Sequence, residues 1–285
     1  MPCNYPHRLQ RGVEHDFMHI DVPCGRCMGC RINNAQAWAV RCANEAQLHQ
    51  HNAFVTLTYD DANLANPPSL EHRDWQLFAK KLRNHRGPFR YYMCGEYGEK
   101  NKRPHFHACL FGIDFPDRKP ITEKGEYTLY QSDELTALWA KGLCSIGSVT
   151  FTSAGYIARY ITKQLHGEPA AQRYQQVNLQ TGEIIRLTPE YIRMSRRPGI
   201  GADWLNLYQD EVLTHDGVHL NNRKYKTPRY YDQKLKELNP QAHKKIQDQR
   251  IKRAWETNPQ EHTRQRRNAK EQVLTARIGL NQRKI

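Results

Sequence analysis

The chain lacks any run of about 18 apolar residues, so no segment reads as a membrane-spanning helix. It also lacks a G-x-x-x-x-G-K-[ST] stretch, which excludes a P-loop nucleotide-hydrolysing domain. The opening residues, Met1-Pro2-Cys3-Asn4-Tyr5, carry neither a basic segment nor an apolar stretch, so no secretory signal is expected. Acidic residues are in deficit: 29 Asp and Glu stand against 43 Lys and Arg, a net charge of +14 over 285 residues. A surplus of this size points to a polyanionic partner, most simply nucleic acid, with a merely basic soluble protein as the plainer alternative. Without a secretory signal, the eight cysteines read as thiols or metal ligands in a reducing cytoplasm rather than as a disulfide framework.

What is present divides into three parts: a cysteine-bearing segment and helix over 1–50, a core over 51–205, and a basic extension over 206–285. Residues 31–50 read as a helix. Phe54-Val55-Thr56-Leu57-Thr58-Tyr59 reads as a strand rich in β-branched and aromatic residues. Ser69 opens a helix carrying Trp75, Leu77, Phe78 and Leu82. Strands follow over 89–94 and 105–111, with a polar hairpin loop over 95–103 between them. Ser132 caps a further helix, Ser145 to Phe151 reads as a fourth strand, and a helix containing Tyr156 follows. Tyr174 to Thr188 contains a Gln-Thr-Gly-Glu turn that permits a hairpin. The order β-α-β-β-α-β predicts an α+β fold of the split βαβ, ferredoxin-like plan: an antiparallel sheet with helices on one face and the other face open for a ligand. Residues 230–285 hold 14 Lys and Arg against 6 Asp and Glu. This tail is equally consistent with phosphate tracking, a solvated helix or a disordered arm.

Two constellations carry chemistry. His105 and His107 flank Phe106 in an apolar run, so on a strand both imidazoles share one face, about 7 Å apart. A third ligand is expected from the paired strand, with Glu96 best placed and Glu99 as the fallback in the loop. Two imidazoles and a carboxylate suit Mn2+ or, where abundant, Mg2+. Buried or surface histidines explain most isolated His-x-His pairs; the hairpin carboxylate strengthens the metal reading. Tyr156 and Tyr160 lie one helical turn apart, and Lys163 continues their stripe. An i,i+4 tyrosine pair is more often core. Here it follows a histidine strand and is flanked by Arg159 and Lys163, which favours a nucleophile with a charge-stabilising lysine. Separately, Cys24, Cys27 and Cys30 with Cys3 fit a tetrahedral zinc site, in which His7, His15 or His19 could replace Cys3. Free thiols and an iron–sulfur cluster stay open as alternatives.

These motifs together resemble the replication initiators of the HUH endonuclease superfamily, and more closely the replication-associated proteins of Microviridae single-stranded DNA phages of the gokushovirus type. The resemblance rests on Phe54 to Tyr59, on Gly95-Glu96-Tyr97-Gly98 through Arg103-Pro104-His105-Phe106-His107, and on Gly155 through Lys163. The segment Val22 to Cys30 and the loop Met194 to Gly199 are also similar, so the likeness spans roughly residues 1–205. One departure is Gln164 after Lys163, where many relatives carry a second lysine. The resemblance implies rolling-circle replication. The protein would be a metal-dependent endonuclease and strand transferase, nicking single-stranded DNA at the origin of the replicative form through a 5′-phosphotyrosine. A host helicase and polymerase would be partners, and the host cytoplasm the location. A non-catalytic RRM-like nucleic-acid-binding module is the alternative from another class. A transposase of the same superfamily is a third reading, against which the paired tyrosines and the cysteine segment argue.

Overall fold

A computed structural model describes residues 3–13, 16–98, 101–124, 127–163, 173–177, 181–256 and 259–282. Within those, the side chains at 11–13, 16–20, 123–124, 127, 159–163, 255, 259, 262 and 279–282 fall outside the description. A two-stranded ribbon, β1 (His7–Val13) and β2 (Asp16–Val22), leads into the helix α1 (Met28–Gln47). The core then runs β3 (Asn52–Thr58), α2 (His72–Arg86), β4 (Arg90–Tyr97), β5 (Pro104–Phe111), β6 (Lys119–Lys124), β7 (Tyr127–Gln131), α3 (Asp133–Trp139), β8 (Cys144–Gly147) and α4 (Phe151–Lys163). A small hairpin, β9 (Gln175–Val177) with β10 (Ile184–Arg186), precedes β11 (Tyr191–Met194). The remainder is α5 (Ala202–His215), the hairpin β12 (Val218–Leu220) and β13 (Arg223–Tyr225), α6 (Arg229–Leu238), α7 (Pro240–Trp255) and α8 (Arg264–Gln282).

Seven strands form one antiparallel sheet in the order β11-β4-β5-β3-β8-β7-β6. Its centre, β4-β5-β3-β8, is the strand order of the split βαβ plan, so the expected α+β class is what the chain forms. The helices that follow β3 and precede β8, α2 and α3, lie on one face. There Trp75, Phe78, Leu82, Leu135 and Trp139 pack on Val55, Leu57, Met93, Phe106, Ala108 and Leu110. The opposite face is not open, contrary to the expectation of helices on one face only. Alternation puts Tyr92, Cys94, Cys109 and Phe111 on that face, and so much apolar surface needs a cover. The cover is α1 and α4, which meet through small residues: Ala35 and Ala39 on α1 against Ala154, Gly155 and Ala158 on α4. A Cβ built at Gly155 would stand 3.8 Å from the Ala39 Cβ, so the two helices approach closely.

Several boundaries differ from expectation for local reasons. Ser69 does not cap α2: its Oγ accepts from the Thr188 amide, and the cap is Glu71, whose carboxylate accepts from the Arg73 amide at 2.9 Å. β8 stops at Gly147 rather than reaching Phe151. Thr150 and Ser153 exchange hydrogen bonds, each side-chain oxygen accepting from the other's amide, and this reciprocal cap starts α4 at Phe151. The β6–β7 hairpin was not anticipated. Ser132 caps α3 as expected, accepting from the Leu135 amide.

On its outer side α1 holds a third core, in which Val40 meets Trp204, Leu205, Val212, Tyr231 and Leu235. The buried Glu45 fastens α1 in place: it accepts from the Gly201 amide at 2.6 Å, from the Arg90 guanidinium, and meets His49. The chain beyond 206 is therefore helical and packed through α7, then continues in α8. No helix among the described residues is long and apolar enough to cross a membrane.

Candidate metal centre and its neighbouring tyrosine

Register places the site. Glu96 on β4 stands directly opposite His105 on β5, and Cys94 opposite His107. Side chains two apart on a strand share a face, so Glu96, His105 and His107 all point to the side covered by α1 and α4. Gly95 is needed beside Glu96: a Cβ there would come within 3.0 Å of Leu70 and 3.2 Å of Phe106 and Tyr191 on the opposite face.

The Glu96 Oε1 lies 2.7 Å from Nε2 of His105 and 2.7 Å from Nε2 of His107. Glu96 is only 2 % exposed and His107 7 %. Each imidazole is oriented through its other nitrogen. Nδ1 of His105 lies 3.0 Å from the Arg103 carbonyl, and Nδ1 of His107 lies 2.9 Å from Thr56 Oγ1. A carbonyl oxygen can only accept, so Nδ1 of His105 carries a hydrogen. Its Nε2 lies at hydrogen-bonding distance from the same carboxylate oxygen that Nε2 of His107 approaches, so both ring nitrogens converge on one point. The second carboxylate oxygen, Oε2, is buried with no hydrogen-bond partner among the described residues. Such an orphan oxygen on an ionised group is costly unless a ligand satisfies it. The donor set, two imidazole nitrogens and a carboxylate within 4.8 Å of one another, fits a divalent ion.

The electrostatics agree. Burial pushes the Glu96 carboxyl up, but the hydrogen bonds and charges of His105 and His107 outweigh it, leaving the group below its ordinary value. Burial pushes His107 below the usual histidine value, against the pull of Glu96. An ionised carboxylate and a neutral imidazole are the forms that ligate metal.

From the covering layer, Tyr156 on α4 turns its ring toward the centre. Its hydroxyl donates to Glu96 Oε1 at 3.3 Å, and its ring meets that of His107 edge-on, centroids 5.1 Å apart. Phe54 on β3 flanks both, stacking on His107 at 5.8 Å and meeting Tyr156 edge-on at 6.5 Å. The structure thus brings together Glu96, His105, His107 and Tyr156. Tyr160 and Lys163 belong to the same helix, but their side chains lie outside the described residues. Glu99, the fallback ligand, also lies outside them. Two partners escaped the sequence reading, Thr56 and the Arg103 carbonyl. Thr56 sits opposite His107 in the β3–β5 ladder, a pairing that the sequence of one strand does not show.

The four N-terminal cysteines also converge. The sulfurs of Cys3, Cys24, Cys27 and Cys30 lie within 4.8 Å of one another, and all are free thiols. His7 is on β1 outside this group, His15 is outside the described residues, and the His19 side chain is likewise undescribed. Burial raises the Cys27 thiol, but hydrogen bonds from the Asn4 amide, the Cys30 amide and neighbouring thiols bring it down to about 7. Cys30 is pushed up to about 12, first by burial and then by its bond with Cys3.

Fold and site define an α+β protein whose antiparallel sheet carries two histidines of a His-x-His pair and a glutamate, a candidate metal centre, beside a helical tyrosine. A family profile described as Replication-associated protein ORF2/G2P matches residues 52–165, the span from β3 to just past α4. The chain is 34 % identical to Replication-associated protein VP4 of Bdellovibrio phage phiMH2K, over 80 % of this chain and 72 % of that protein. It is 31 % identical to Replication-associated protein ORF2 of Spiroplasma virus 4, over 82 % and 80 % respectively. With Replication-associated protein ORF4 of Chlamydia phage 1 it shares 26 % identity, over 76 % of this chain and 54 % of that protein. No solved structure matches. The chain belongs to the replication-associated proteins of Microviridae-type phages.

Proposed function

We propose that this replication initiator is an HUH-type endonuclease that nicks single-stranded DNA at the phage origin and rejoins it. The observation that carries the reading is the 3.3 Å approach of the Tyr156 hydroxyl to the carboxylate that His105 and His107 share. It puts a nucleophile beside a centre built for a divalent cation. Glu96, His105 and His107 would hold the cation, Mn2+ or Mg2+, which would polarise a phosphate oxygen.

The remaining chemistry belongs to side chains. The Tyr156 oxygen bonds to phosphorus while the bond from phosphorus to the 3′-oxygen breaks. The 3′-hydroxyl leaves with a proton, and the phosphodiester is conserved as a 5′-phosphotyrosine. A free tyrosine has a pKa near ~10, so proximity to charge-stabilising groups is required. Lys163, two turns along α4 from Tyr156, is the proposed cation for the developing negative charge. Tyr160, one turn from Tyr156, would attack the regenerated junction in a second transfer. The 3′-hydroxyl of the displaced strand then attacks the first phosphotyrosine, restoring a phosphodiester and freeing the tyrosine. Unwinding and synthesis would fall to a host helicase and polymerase in the host cytoplasm. We take residues 51–205 as the endonuclease core, 1–50 as a segment docked on it and 206–285 as a basic extension.

The test uses single strands tiling the phage genome, incubated with the protein and Mn2+. A denaturation-resistant protein–DNA adduct is expected. Tyr156→Phe combined with Tyr160→Phe abolishes the adduct and leaves DNA binding intact. An adduct that survives the double change overturns the assignment, as does the absence of any adduct with the unaltered protein.

A further inference from the structure

The ribbon β1–β2 has no place in the main sheet, and His7 to Gln10 along it are exposed. A lone two-stranded ribbon is at best marginally stable in water, so something must hold it. Among the described residues, the cysteine group gathers at its base. Cys3 precedes β1, Cys24 follows β2, Cys27 stands at the N-cap of α1, and Cys30 lies in the first turn of that helix.

The four sulfurs are spaced for a metal rather than for disulfides. The sulfurs of Cys27 and Cys3 are 3.8 Å apart, far beyond a covalent S–S bond. Four thiolates around zinc at about 2.3 Å stand about 3.8 Å apart at the corners of a tetrahedron. Backbone amides point at the sulfurs: Asn4 N–H donates to Cys27 Sγ at 3.4 Å, Cys24 N–H to Cys3 Sγ at 3.2 Å, and Cys27 N–H to Cys24 Sγ at 3.3 Å. Amides donating to sulfur favour the thiolate over the thiol. Sulfur-only donors at tetrahedral spacing select zinc over the hard cations that suit the Glu96 centre.

We infer that Cys3, Cys24, Cys27 and Cys30 bind one Zn2+ and form a clasp joining both ends of the chain to the layer that carries the nucleophile helix. On binding, the four thiols release their protons and each sulfur forms one bond to the ion, with no change of oxidation state. The clasp fixes the start of α1, and α1 is the element packed along α4. It also receives the helix α8. Tyr5, two residues after Cys3, donates from its hydroxyl to Glu271 on α8 at 2.9 Å, and Asp21 on β2 pairs with Arg267 on α8 at 3.9 Å. The basic terminal helix is thereby seated on the zinc-bound segment rather than left to swing free.

This inference stands apart from the nicking reading, and its test does not depend on cleavage. The full chain, purified under reducing conditions, is expected to carry one zinc per molecule by elemental analysis. Stripping the metal and refilling with Co2+ is expected to give the intense thiolate-to-cobalt charge-transfer band and the visible bands of tetrahedral cobalt. Cys27→Ser with Cys30→Ser is expected to lose both, whereas Cys144→Ser, remote from the group, and His105→Ala retain them. Hydrogen exchange of the unaltered protein offers a readout that no variant can confound: chelation is expected to raise exchange over 16–47 and in α8 together. The inference is overturned if the reduced chain takes up neither zinc nor cobalt. It is equally overturned by iron with sulfide in place of zinc, by zinc retained in the double variant, or by unchanged exchange on metal removal.

Discussion

The two candidate metal sites of this protein are built in opposite ways. The Glu96 centre sits in the middle of a seven-stranded sheet, where the β4–β5 register sets Glu96 against His105 before any ion arrives. The cysteine group sits at the base of a two-stranded ribbon that, among the described residues, joins no larger sheet. The first arrangement is preorganised by backbone hydrogen bonds; the second must be organised by the ion itself. Removing metal should therefore silence one site and unfold the other.

That contrast can be broken by mutation. His105→Ala is expected to cut adduct formation by about 100-fold or more, since it deletes a ligand, while the thermal midpoint shifts by no more than a few degrees. Replacing Cys30 by Ala should do the reverse: the midpoint falls by about 5 °C or more, roughly 2 kcal/mol in a chain of this size, as the α1 start frees itself. Parallel nicking and melting curves check both, and an equal stability loss in the two variants would remove the distinction. Thr56→Val sharpens the picture from the supporting shell. It keeps the shape of the strand but deletes the Oγ1 partner of His107 Nδ1, 2.9 Å away. A loss of about 10-fold in metal affinity or activity is expected, measured by Mn2+ titration.

The smallest effect concerns pH. His107 is held below its ordinary value of 6.5, so the unfolded chain binds its proton more readily than the folded one. Stability contributed by the neutral ring is then present above 6.5 and declines as the pH falls below it, until the folded value is passed. Glu96 is also depressed, from 4.5, so its contribution is present above 4.5 and is lost only as the pH falls toward its folded value. Melting curves from pH 7 to pH 4 should show a loss that His107→Asn makes shallower in its upper part. A variant with the unaltered slope would contradict the assignment.

Much of the site could be read from the chain because period-two and period-four spacing each set a face. His-x-His on a strand, a carboxylate across its hairpin, and a helical tyrosine in the right order were enough to name Glu96, His105, His107 and Tyr156. What the spacing leaves out is the second layer. Nothing in the alternation of β4 and β5 says which helix covers Cys94 and Cys109, and the α1–α4 contact rests on alanines and one glycine, residues without an obvious signature. Thr56 was legible only as part of a β-rich strand, because its bond to His107 depends on a ladder register that a single strand does not reveal. The boundary of α4 departs from expectation for a similar reason: Thr150 reads as part of a strand running to Phe151 until its reciprocal cap with Ser153 is seen.

The most direct test of the central claim is an anomalous difference map at the manganese edge, from crystals of the reduced protein grown with Mn2+. The account predicts a single manganese peak bonded to Nε2 of His105, Nε2 of His107 and the Glu96 carboxylate, with the Tyr156 hydroxyl facing it. A map with no manganese at those three side chains, or with Tyr156 turned away from the ion, would contradict it.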